Sequence, residues 1–102
     1  MHASQVRRVF DVGRSLHAER VVLFHAPGSD EVAVVASRRV GGAVQRNRAR
    51  RILREAWREV ASLAGDGDDV VIVAREAIRG AKTQDLVAEM TELLRREPSV
   101  RT

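Results

Sequence analysis

The chain has 102 residues and carries 18 Lys plus Arg against 14 Asp plus Glu, a formal charge of +4. That length predicts a single domain over 1–102, with a body at about 5–96 and a loose tail at 97–102. Apolar residues make up 44% and charged residues 31%, so the chain is expected to fold; with no cysteine, disulfide scaffolds and thiol chemistry are excluded. No apolar run is long enough to cross a membrane, and the N-terminus lacks a secretory pattern, so a cytoplasmic location is expected.

In chain order, residues 5–12 predict a short helix, with Val6, Val9 and Phe10 on one face, Ser4 as cap and Gly13 as stop. Arg20–Ala26 is β-rich, Pro27-Gly28-Ser29-Asp30 is a turn signal, and Glu31–Ser37 is β-rich again. Two apolar runs around a turn predict an antiparallel hairpin, at least one strand of it covered on both faces. After Gly41-Gly42 a long helix is expected over Ala43–Ala64. On it Ala49, Ile52, Leu53, Ala56, Trp57 and Val60 share an arc of about 140°. Arg46, Asn47, Arg50, Arg51, Arg54 and Arg58 share a second arc of similar width, with Arg48 just outside it. A loop at 65–69, a strand at Val70–Ala74 and a last helix follow. Thr83 is the expected cap of that helix, and Leu86, Val87, Met90, Leu93 and Leu94 its apolar face. The elements predict a small sheet with helices against it.

Charge is concentrated rather than spread. Seven arginines and no acid lie between Arg38 and Arg54, leaving 11 basic and 14 acidic residues elsewhere. A rigid cationic helix face of this kind suits a polyanion, and an RNA backbone in particular. The preference for Arg over Lys runs through the whole chain and reads as codon bias.

Catalytic signals are weak. His2, His17 and His25 have no metal-ligating spacing, and no acid accompanies Ser15 and His17 as a triad would require. Gly41-Gly42 lacks the Gly-Lys-Ser/Thr of a phosphate loop. Asp66, Asp68 and Asp69 read as a polar turn before a strand rather than as a calcium loop.

The stretch Ser37-Arg38-Arg39-Val40-Gly41-Gly42-Ala43-Val44-Gln45-Arg46-Asn47-Arg48, followed by Arg50-Arg51 and Arg54-Glu55-Ala56-Trp57, resembles the signature of the bacterial ribonuclease P protein subunit. Asp69–Arg75, Val9, Phe10, Gly13 and Phe24 agree with it, so the likeness runs over about 5–96. The resemblance implies an α/β (α+β) two-layer sandwich, a small mixed sheet with three helices in the order α-β-β-β-α-β-α. It also implies a left-handed β-α-β crossover, against the general rule.

It further implies a ribonucleoprotein that removes the 5′ leader of precursor tRNA, with the chemistry in a catalytic RNA and its Mg²⁺ ions and no cofactor held by the protein alone. Arg38, Arg39, Arg46, Asn47, Arg48, Arg50, Arg51 and Arg54 would contact the catalytic RNA. Val6, Phe10, Phe24, Ser37 and Arg75 would contact the leader of precursor tRNA. The partners are then both RNAs, with no membrane and no obligate protein partner. The chain departs from the family in having Val6 for an aromatic, five residues before Val6 in place of a basic tail, Val35 where Ser is common, and Glu76 where some members have a cation. A general structured-RNA-binding or ribosome-associated domain is the alternative.

Overall fold

The computed structural model describes residues 1–64 and 66–96. The tail expected at 97–102 lies outside the described residues. Three helices and four strands follow in the order α1 (Ala3–Val12), β1 (Arg14–His17), β2 (Val21–Pro27), β3 (Val32–Val35), α2 (Ala43–Val60), β4 (Asp68–Ala74) and α3 (Thr83–Arg96).

The four strands form one mixed sheet in the order β1-β2-β4-β3. β1 pairs antiparallel with β2, β2 antiparallel with β4, and β3 parallel with β4. The expected hairpin of β2 and β3 is therefore corrected. The turn and the opposed strand directions are present, but β4 lies between the two strands. A near-continuous apolar strand belongs at the centre of a sheet, where both faces are covered. From Asp69 to Ile72 β4 is wholly buried, whereas β3 is a four-residue edge. α2 joins β3 to β4, making the expected β-α-β unit.

The sheet divides the core into two parts. On one face Val21, Leu23, Val70 and Ile72 pack against Ile52, Leu53 and Ala56 of α2 and Leu86, Met90 and Leu94 of α3. On the other, Val9 of α1 meets Ala26 and Val71. α2 and α3 form a full layer, and α1 covers only part of the opposite face.

Two caps differ from expectation. His2, not Ser4, caps α1: its Nδ1 accepts from the Ser4 N–H at 3.2 Å, and Gln5 Oε1 accepts from the His2 N–H at 2.8 Å. Thr83 is already inside α3, where Asp85 accepts from the Lys82 N–H at 2.9 Å. The Thr83 hydroxyl instead donates to Glu55 of α2 at 2.9 Å. A hydroxyl at a helix start can serve either role, and packing against a neighbouring helix decides which.

Candidate nucleic-acid interface

The lead into α2 is built from small local devices. Ser37 Oγ accepts from the Arg39 N–H at 3.3 Å and starts a single 3₁₀ turn over Arg38–Val40. Val40 is buried, while Arg38 and Arg39 just before it are exposed. Gly41 has φ of 141°, a conformation L side chains rarely adopt, and it redirects the chain into α2.

Along α2, Ala49, Ile52, Leu53, Ala56 and Val60 are buried as the periodicity predicts. The opposite face carries Asn47, Arg51, Arg54 and Arg58, all exposed, with Arg46 and Arg50 half-buried beside them. Asn47 Oδ1 accepts from Arg50 Nη2, which fixes the direction of that guanidinium. The acids of the helix are turned away: Glu55 meets Thr83, and Glu59 meets Gln84 Nε2 at 3.4 Å, both on α3. Arg48 lies at the margin of the ridge. Its Nη2 donates to the Ala81 carbonyl at 2.5 Å, beside Val40, Ala49 and Ile78.

The second surface is the sheet face that α1 leaves open. The strand registers place Ser15, Phe24, Val71 and Ala33 in one row across the sheet, and His17, Val22, Val73 and Val35 in the next. Phe10 of α1 stands over the first row and meets Phe24 edge to face, with ring centroids 4.9 Å apart. Phe10 is 41% exposed, so it is not a core residue. Val6 packs at the same end against the α1 core. Beyond the second row the face opens into a groove of about 630 Å³ lined by Ser37, Arg39, Val73 and Arg75 together with the acids Glu19 and Glu76. Arg75 Nη1 donates to the Ala18 carbonyl at 2.9 Å, which leaves its other N–H groups available.

The structure thus brings Phe10, Phe24, Ser37, Arg39 and Arg75 onto one open surface. It adds Val22, Val73 and His17, which the sequence analysis did not select. Their shared face depends on strand pairing, and no local signal in these short apolar runs reveals it.

The remaining polar candidates have structural work. Asp69 is buried and accepts from the N–H groups of Ser29 at 2.9 Å and Glu31 at 3.1 Å, which ties the turn after β2 to the start of β4. Asp68 bonds His25 Nδ1 at 2.9 Å. Ser15 Oγ and His17 Nε2 meet at 3.0 Å on the exposed edge, with no carboxylate joined to them among the described residues. Nor do the described residues contain a group of three or more His, Cys, Asp or Glu able to hold a metal ion.

The ribonuclease P family model matches residues 2–97. The chain belongs to the ribonuclease P protein family. The ribonuclease P protein component of Chloroflexus aurantiacus is 44% identical over 96 residues, covering 89% of this chain and 70% of that one. Its counterpart in a Nitratiruptor species is 37% identical over 89 residues, covering 86% and 81%. Among solved structures, the RNase P protein from Thermotoga maritima superposes with a TM-score of 0.81 at 24% identity, over 95% of this chain and 96% of that one. The Staphylococcus aureus RNase P protein gives a TM-score of 0.81 at 20% identity, over 100% and 95%. At these identities the two structures establish a shared three-helix, four-strand mixed-sheet fold. No helix among the described residues is long and apolar enough to cross a membrane.

Proposed function

We propose that this ribonuclease P protein is the accessory subunit of a ribonucleoprotein that matures the 5′ ends of tRNA, and that it uses two RNA-binding faces at once. The cationic ridge of α2, from Arg46 to Arg54 with Asn47, docks on the catalytic RNA; Arg38 and Arg39 extend it. The open sheet face takes the single-stranded leader of precursor tRNA, with Phe10 and Phe24 as apolar or stacking contacts and Ser37 and Arg75 beside its backbone. Bond cleavage belongs to the catalytic RNA and its Mg²⁺ ions, in the cytoplasm.

The observation that carries this reading is the placement of α2 and α1 on opposite faces of one sheet. A rigid body with a cationic side and a separate, partly apolar cleft can hold a structured RNA and a flexible strand together. Stacking tolerates any base, as a leader of variable sequence requires. A general structured-RNA binder would need the ridge but not an exposed Phe10 above an uncovered sheet.

Reconstitution with the cognate catalytic RNA at low Mg²⁺ tests the proposal. Leader release from precursor tRNA is expected to rise only when protein and RNA are both present. Equal binding of the catalytic RNA and an unrelated structured RNA of the same length, without stimulation, would favour the general binder.

A further inference from the structure

Trp57 stands where the surface of the molecule changes sign. It follows Arg50 by seven residues and Arg54 by three, which places its indole beside the cationic ridge of α2. Part of the ring packs on the core beneath the helix. The rest separates two grooves. The first, of about 420 Å³, is lined by Trp57, Arg54, Arg58, Met1 and the residues Val32, Ala33 and Val34 of edge strand β3. The second, of about 300 Å³, is lined by Trp57 together with Asp30, Glu31, Asp66 and Asp68.

An RNA backbone following Arg46, Arg50 and Arg54 along α2 therefore approaches a cluster of carboxylates past Trp57, which repels phosphates. The basic groove before that cluster offers an aromatic ring, the 41% exposed Val32 and two guanidinium groups. These are the parts of a stacking platform for a base whose phosphates are held by arginine.

The geometry points to a nucleobase site: an unpaired base of the RNA docked on α2 turns out of its strand and seats against Trp57, between Arg54, Arg58 and β3. This rests on the reading of α2 as the catalytic-RNA face. It adds an end point to that contact and a base-stacking element that the arginines alone do not supply.

The chain has one tryptophan and no tyrosine, so its intrinsic emission reports on Trp57. The intact protein is titrated with its cognate catalytic RNA while emission is followed and binding is measured separately by filter retention. A saturable loss of about half the emission is expected, because a stacked base quenches the indole. A blunt duplex RNA, which has no unpaired base, is expected to bind the ridge without quenching. Trp57→Phe keeps a stacking ring and is expected to hold affinity within about twofold, whereas Trp57→Leu is expected to weaken it about tenfold. Both variants are first checked for cooperative unfolding, and the emission titration stands on the unaltered protein if Trp57→Leu fails to fold. Unchanged emission at RNA saturation overturns the site while leaving the ridge assignment intact. If the catalytic RNA does not bind at all, the ridge assignment and the site fall together.

Discussion

Arg48 and Arg50 sit two residues apart in one arginine-rich run and do different things. Arg50 is oriented by Asn47, while Arg48 anchors one of its N–H groups on the Ala81 carbonyl. The helical wheel already set Arg48 apart, but the carbonyl that receives it comes from the segment before α3, which no local pattern could supply. Arg46→Ala and Arg50→Ala are expected to weaken binding to the catalytic RNA and to lower the slope of affinity against salt by about one phosphate contact each. A salt titration by filter binding measures this, and an unchanged slope would contradict the ridge assignment. Arg48→Ala is expected to act on stability as well as on RNA binding. A hydrogen bond from a charged donor contributes about 1.5–3 kcal/mol, so urea unfolding should show a loss near the lower end. At the second face Phe10→Ala removes an exposed ring and little core. It should reduce holoenzyme affinity for precursor tRNA roughly tenfold and leave mature tRNA unaffected. Equal losses for both substrates would make Phe10 a structural residue only.

The connection between β2 and β3 shows what an element can hide. Pro27 to Asp30 is a turn, as its composition announces, with Asp30 at a φ of 61°. Yet it crosses the N-terminal end of β4 instead of closing a hairpin, and it is held there by Asp69 from β4 itself. Asp69→Ala would leave the N–H groups of Ser29 and Glu31 without their partner. The expected cost is about 2–3 kcal/mol by denaturant unfolding, with RNA affinity preserved in the folded fraction. Gly28→Ala should cost a similar amount, because a Cβ at that position would collide with the Asp69 carboxylate. A neutral outcome for both variants would mean that the turn is held by the flanking strands alone.

At the scale of the whole molecule, the sheet is a partition. α2 and α3 bury one face along the central strands β2 and β4, and the ten-residue α1 covers the other only around Val9, Ala26 and Val71. Arg39 alone is common to both RNA faces, and Arg50 and Phe10 lie on opposite sides of the sheet, so losses from Arg50→Ala and Phe10→Ala should be additive in free energy when precursor tRNA binding by the holoenzyme is measured. Coupling above about 0.5 kcal/mol would show that the faces communicate through the sheet. The sequence by itself determined the three helices, the two faces of α2 and the family, because a 3.6-residue period and a fixed-spacing motif are local properties of the chain. Only the tertiary structure decided that β4 separates β2 from β3, and that His17, Val22 and Val73 share a face with Phe24. It alone placed Trp57 between a basic and an acidic groove. Each of these is a meeting of residues far apart in the chain, and strand pairing and packing against distant elements set them where no local period could.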